Sequence, residues 1–204
     1  MSSLEPRLWR WGESVSILDQ LWASGGVVAI PTESTFGLAV DPADPAAVDT
    51  VFSVKGRSAG QALPIVAGTV GALERLGVRL DLPEFAPVLA AWPAPLTLVA
   101  PLERPLPAAS GMDTLAVRIP DHGQLRELLT RLGRTVTATS ANRSGEAPAT
   151  RVEQVSSLLA GEEALVIDEA GLPGGEPSTI VGMQGGRLAV LREGRFPVAR
   201  LFGA

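Results

Sequence analysis

The sequence predicts an α/β fold: a single domain with a twisted mixed sheet and many tight connections. Short strand patterns alternate with helical patterns through the first two thirds of the chain, then follow one another with few helices between them, an order that suits a mixed sheet better than an all-parallel one. A chain of 204 residues that is 46% hydrophobic has the apolar material for one substantial core. Its 22 glycines and 17 prolines supply turn chemistry for the many connections.

The elements follow in order. Residues 14–23 carry Val15, Leu18, Leu21 and Trp22 at helical spacing and stop at Gly25-Gly26, a C-cap signal, before an apolar strand at 27–30. The strand runs into a loop over 31–37. Asp44-Pro45 reads as an N-cap followed by proline at the first helical position, and Val48, Val51 and Phe52 give that helix a buried stripe. Lys55 falls in its last turn and Arg57 just beyond Gly56. Strands are expected at 63–67, 96–100, 115–119 and 136–138, and helices at 69–76 and 84–92. Asp121 with Gln124 forms a capping-box pattern for a helix through Leu132, and Thr150 with Glu153 does so for one through Leu159. Strand patterns at 165–168, 178–181 and 188–191, around the Gly/Pro-rich stretch 171–177, make the last third β-rich and antiparallel in part.

Bulk charge narrows the function. The net charge of −5 argues against a nucleic-acid backbone as the main partner, which demands a basic face, but permits a local basic cleft. The absence of cysteine excludes disulfides, thiolate nucleophiles and cysteine-ligated zinc. No signal-like apolar segment stands at the N-terminus, and nowhere do roughly 18 uninterrupted apolar residues occur, so a soluble cytoplasmic protein without membrane partners is expected.

Four side chains carry most of the chemistry. Lys55 and Arg57 stand in Lys55-Gly56-Arg57, and Ser140 and Asn142 in Thr139-Ser140-Ala141-Asn142-Arg143-Ser144-Gly145, directly after a strand pattern. Two cations with two neutral hydrogen-bonding groups suit a polyphosphate: arginine offers a planar fork, lysine a mobile point charge, and serine and asparagine orient oxygens without adding charge. A loop at a strand's C-terminal end is also where open α/β sheets hold ligands. The plainer alternatives are a solvated helix end, where cations gain about 0.3–1 kcal/mol, and a polar turn. Pro31-Thr32-Glu33-Ser34-Thr35-Phe36-Gly37-Leu38 adds three hydroxyls, a carboxylate and a glycine that allows close backbone approach. Arg118 interrupts an apolar strand, which is costly without a partner. A ligand carboxylate would serve for Arg118, and an internal Asp or Glu is the plainer partner for Arg118 and Arg192 alike. The single histidine, His122, is assigned to the helix start at Asp121.

In their shared order, the 31–38 motif, Lys55 to Arg57, Ala116-Val117-Arg118-Ile119-Pro120, the 140–145 loop and Pro177-Ser178-Thr179-Ile180-Val181 resemble the YrdC-like family. The resemblance runs over about residues 25–194. It implies a twisted α/β domain with a large concave cavity open at one end, in the form without an extra C-terminal domain. The implied activity is that of a nucleotidyltransferase, an L-threonylcarbamoyladenylate synthase. Such an enzyme condenses L-threonine, bicarbonate or CO2, and ATP into threonylcarbamoyl-AMP and pyrophosphate for tRNA threonylcarbamoyladenosine modification. By the same resemblance Lys55, Arg57, Ser140 and Asn142 bind the triphosphate and serve the transfer step, with Gln61, Thr114 and Arg192 also on the ATP side. Thr32, Ser34, Arg118, Ala138 and Ser178 form the threonine pocket, Arg118 meeting the carboxylate. Mg2+ would accompany ATP, held by phosphates and water. The product would pass to a downstream tRNA threonylcarbamoyl transferase, with direct tRNA binding weak or absent.

The chain departs from the family pattern at several points. Ser58, Gln61 and Ala62 stand where the family shows Pro after the Arg and then Asn or Lys with Pro or Gly. Val66 replaces a frequent His, Pro148 a frequent Ser, Ser34 a Thr and Phe36 a Tyr. Gln61 still offers an amide and Ser34 keeps the hydroxyl. Other templates lack their defining residues: there is no Gly-x-Ser-x-Gly elbow, no Walker loop and no His-rich metal pattern. Two further classes stay open. One is a YrdC-like paralogue with another carbamoyl or adenylyl substrate, to which Gln61, Val66 and Pro148 point. The other is an RNA-binding module, which the acidic balance disfavours.

Overall fold

Capping chemistry fixes most helices where the sequence predicts them. The computed structural model describes residues 5–56 and 60–202. Helix α1 (Ser16–Ala23) buries Leu18 and Trp22. Helix α2 (Pro45–Lys55) starts on Asp44, whose carboxylate accepts from the amides of Ala46 and Ala47 at 2.9 and 3.3 Å. It ends at Gly56, whose φ of +59° is a left-handed C-cap. Helix α3 (Val70–Leu76) starts on Thr69 and ends at Gly77. The helix expected at 84–92 divides into a 3-10 turn, Pro83–Phe85, and the short α4 (Ala86–Ala91).

Two caps differ from expectation. Helix α5 (Gly123–Leu132) starts on His122, not Asp121: Nδ1 of His122 accepts from the Leu125 amide at 3.2 Å. Asp121 instead faces Arg126 at 3.7 Å, while the His122 ring stacks on Trp11. Helix α6 (Val152–Leu158) starts one residue after the predicted Thr150. Its cap is made by Gln154, whose Oε1 accepts from the amides of Thr150 and Arg151, both at 3.0 Å. The amide of glutamine serves here where Glu153 was expected. A last short helix, α7 (Ala199–Phe202), closes the described chain.

The strands form two mixed sheets where the sequence suggests one. The first has five strands: β1 (Arg7–Arg10), β9 (Ala164–Asp168), β2 (Val27–Pro31), β3 (Phe36–Ala39) and β8 (Thr139–Ser140), in that spatial order. The second has six: β11 (Arg187–Arg192), β10 (Thr179–Gln184), β5 (Leu96–Pro101), β6 (Thr114–Arg118), β4 (Ile65–Ala67) and β7 (Thr135–Thr137). In the last third β10 and β11 pair antiparallel, whereas β9 is parallel to both β1 and β2.

One stretch of chain, 135–140, belongs to both sheets. Its first part pairs with β4 and its last two residues with β3, so Ile65 faces Thr137 and Gly37 faces Ser140. Thr137, fully buried, secures the crossing. Its amide donates to the Val40 carbonyl, and its hydroxyl accepts from the Val40 amide and donates to the Leu38 carbonyl, all at 3.0 Å. Its amide and hydroxyl are thereby both satisfied, which is what burying a threonine requires.

Both faces of the first sheet are covered. On β2, Val28 and Ile30 pack with Trp22, Leu125 and Leu129 from α1 and α5, while Val27 and Ala29 join the larger core with Val48, Val51 and Phe52 of α2. A strand buried on both sides reads as an unbroken apolar run, as residues 27–30 do. On β6 the alternation is clean instead: Leu115 and Val117 are buried, while Thr114, Ala116 and Arg118 are partly exposed on the other face. That open face of the second sheet builds the site.

Candidate active site

Lys55 is the first departure from a surface reading. Although it sits in the last turn of α2, it is only 4% exposed. Its Nζ donates to the Ser140 carbonyl at 2.5 Å, to the Asn142 carbonyl at 3.1 Å and to Asn142 Oδ1 at 3.4 Å. The Lys55 carbonyl in turn accepts from the Ser144 amide at 2.9 Å. A buried ammonium needs several acceptors, and here the 140–145 loop supplies them. The solvated helix end is thereby excluded for Lys55. Arg57 and Ser58 lie outside the described residues.

The loop closes on itself around Asn142. The Ser140 hydroxyl donates to Asn142 Oδ1 at 2.5 Å, and Asn142 Nδ2 donates to the carbonyls of Arg143 and Glu146 at 2.8 and 2.9 Å. Beside it opens a recess of about 540 Å³ lined by Lys55, Gly56, Gln61, Thr139, Ser140, Asn142, Ser144 and Gly145. Three of the four tetrad residues and Gln61 therefore come together.

A second cleft, of about 410 Å³, lies over the open face of the second sheet. Thr32, Ser34, Arg118, Ala138 and Ser178, the residues expected around an amino acid, all line it. Thr139 and Ser140 line both spaces, so the two adjoin at β8, on the stretch that crosses between the sheets. Arg192, expected on the ATP side, lines this second cleft and donates to the Ser178 carbonyl at 2.8 Å. Thr114 shares the strand face of Ala116 and Arg118 but lines neither space. Among the departures Phe36, Gln61, Ala62 and Val66 line one space or the other, whereas Pro148 is exposed outside both.

Polar contacts shape the cleft. The Thr32 hydroxyl donates to the Thr35 carbonyl at 2.7 Å, fixing the turn before β3. Ser34, 8% exposed, is held through its carbonyl, which accepts from the Gly174 amide at 2.8 Å. The hydroxyls of Ser178 and Thr97 lie 2.8 Å apart. Gly194 sets the lip: a Cβ there would fall 2.2 Å from the Pro177 carbonyl oxygen, so only glycine lets the end of β11 lie against Pro177 and Ser178.

Arg118 is not unpaired in the cleft. Its Nη1 donates to Glu33 Oε1 in an ion pair, with the two side chains 12% and 11% exposed. The internal carboxylate considered for Arg118 is thus Glu33. The Arg192 guanidinium is held below its ordinary value, first by burial and then by the nearby charge of Arg118. Two cations face one cleft, and among the described residues one is neutralised by a carboxylate and the other is not, which leaves an excess positive charge for an anion. Sequence reasoning missed Glu33 as the partner and Thr97 as a lining group. Thr97 gave the same signal as Arg118, a polar residue within an apolar strand pattern; the Glu33 pairing spans 85 positions and gave none.

The fold and site together define an α/β protein in which a lysine-braced polar loop adjoins an arginine-lined cleft. The chain belongs to the Sua5/YciO/YrdC family, whose model, described as "Telomere recombination", matches residues 20–194. It is 40% identical to a threonylcarbamoyl-AMP synthase of Alkalilimnicola ehrlichii, over 71% of this chain and 76% of that one. It is 34% identical to a protein of the same name from Thiobacillus denitrificans, over 80% and 88%. The structure superimposes on Pyrococcus abyssi Sua5 complexed with L-threonine with a TM-score of 0.83 at 30% identity. That match covers 98% of this chain and 61% of the archaeal one, so the chain spans about three fifths of that relative.

Proposed function

We propose that this protein is an L-threonylcarbamoyladenylate synthase. The observation that carries the reading is the meeting of the two spaces at Thr139 and Ser140. One is built on Lys55 and the Ser-x-Asn loop, the other on Arg118 and a ring of hydroxyls. The names of the bacterial relatives and the threonine in the archaeal structure support it.

In this reading threonine enters the 410 Å³ cleft with its carboxylate on Arg118 and its hydroxyl toward Ser34 or the Thr97–Ser178 pair. ATP enters beside the loop, with Gln61, Ser140 and Asn142 around it and Arg57 nearby in sequence. The neutral threonine amine attacks CO2 and loses a proton to give a carbamate. A carbamate oxygen then attacks the α-phosphate in line, forming a new P–O bond as the bond to pyrophosphate breaks. The residues position the reactants and balance charge, with no covalent enzyme intermediate. Lys55 contributes by fixing the loop through its three acceptors.

Magnesium would come with ATP. In this reading it is held by phosphate oxygens and water. No described helix is long and apolar enough to cross a membrane. A cytoplasmic setting, and a tRNA threonylcarbamoyl transferase that takes the product, complete the proposal.

The test is pyrophosphate release in the presence of Mg-ATP and bicarbonate. It should depend on threonine; release by the folded protein that ignores threonine contradicts the reading. Val66, 2% exposed in the cleft wall, favours a second reading in which a paralogue takes another amino acid. The same assay across amino acids separates the two.

A further inference from the structure

We propose that Glu33 is a positioning residue: its single bond to Arg118 aims the remaining guanidinium donors into the cleft to receive an amino-acid carboxylate. The inference rests on the synthase reading for its ligand class, and on the geometry of the pair for its mechanism.

Glu33 is a costly residue to keep where it is. Its Oε1 meets Arg118, but its Oε2 is buried without a hydrogen-bond partner among the described residues. A buried carboxylate satisfied at one oxygen is a poor stability device, and a hydrophobic pair of the same volume usually serves folding as well or better. The use of the carboxylate must therefore lie in what it does to Arg118. Arg118 has five N–H donors, and among the described residues its one side-chain hydrogen bond is the one from Nη1 to Glu33. Tied at one nitrogen, the planar guanidinium keeps its other edge for a second carboxylate, the bidentate geometry it favours.

The neighbouring cation makes this tether necessary. Arg192 lines the same cleft and feels the charge of Arg118. Without Glu33 the two guanidinium groups would repel, and Arg118 would swing from the position in which β6 presents it. The backbone of Glu33 is itself held: Arg195 Nη1 donates to its carbonyl at 3.2 Å. Thr32 closes the turn on one side of it and the bond from Gly174 to the Ser34 carbonyl on the other. Glu33 thus sits on a fixed turn, which is what a residue that aims another requires.

The test is calorimetric binding of the twenty common amino acids, one at a time, to the full chain without ATP, with ATP binding measured separately. The amino acid that binds the wild type is then titrated into the variants. Glu33→Ala should weaken it at least about tenfold, whereas Glu33→Gln, whose amide oxygen still accepts from Arg118, should stay within about threefold. Both variants should keep wild-type ATP affinity. Arg118→Ala should weaken the amino acid as well, and adding Glu33→Ala to it should cost nothing more, because the tether then has nothing to aim. Loss in Glu33→Ala of an amino acid other than threonine would support the tether while overturning the threonine assignment. Undiminished amino-acid binding in Glu33→Ala would overturn the tether. So would equal losses in the Ala and Gln variants, parallel loss of ATP binding, or a wild type that binds no amino acid.

Discussion

A lysine at the end of a helix looks like a solvent-facing charge, and at Lys55 burial reverses that reading. Its three acceptors in the 140–145 loop make it both a structural brace and a determinant of the site. Lys55→Ala would remove the charged donor shared by the Ser140 and Asn142 carbonyls, leaving the first, among the described residues, with only the Asn142 amide at 3.1 Å, and a hydrogen bond to a charged group contributes about 1.5–3 kcal/mol. The variant should melt measurably lower in a thermal scan and turn over at least about tenfold more slowly, equivalent to roughly 1.4 kcal/mol in the barrier. Wild-type melting would contradict the brace. Selectivity is decided at the same scale. The hydroxyls of Ser34, Thr97 and Ser178 offer polar contact while Val66 and Ala116 offer apolar contact in the same cleft. Threonine should outrank serine by about 1–3 kcal/mol for the missing methyl, with valine below both because it has no hydroxyl to meet the polar side of the cleft. Competition assays in kcat/KM read this order directly, and equal use of all three would contradict it.

Elements position these residues, and their legibility in the sequence varied with the physics that forms them. Helix α2 was readable because Asp44, Pro45 and Gly56 carry local signals that the structure uses. Asp44→Ala should lower stability by about 1 kcal/mol, or about 2–4 °C in melting temperature. It should leave turnover of the folded protein near wild type, since it changes the start of α2 and not its end. Strand β3 is not legible, and its first two residues fall in the expected 31–37 loop, because all four of its residues are buried, so it shows no alternation, and it contains Gly37. The caps of α5 and α6 fall one residue later than the pattern suggests, because His122 and Gln154 accept the amides where Asp121 and Glu153 are expected to. That Ser34, Arg118, Ser140 and Ser178 belong together is legible from order along the chain, and all four line the two spaces. Their sorting into two adjoining spaces is not legible, because it depends on where residues 135–140 cross between sheets.

At the scale of the molecule, two mixed sheets are joined by one stretch of chain, 135–140, and the site lies where they part. The sequence suggests a single sheet because local patterns mark strands without marking partners; that residues 135–137 join β4 while 139–140 join β3 is a long-range fact. The arrangement explains why an acidic chain carries a cationic site. The net charge of −5 belongs to the whole surface, while Lys55, Arg118 and Arg192 converge on the two spaces. The central claim is that these spaces bring a threonine carbamate against the α-phosphate of ATP. It is tested most directly by incubating the protein with ATP, threonine and heavy-carbon bicarbonate and analysing the products by mass spectrometry. The account predicts an AMP adduct that contains threonine and the labelled carbon, formed in step with pyrophosphate. Pyrophosphate formed without that adduct, or an adduct lacking the label, would contradict it.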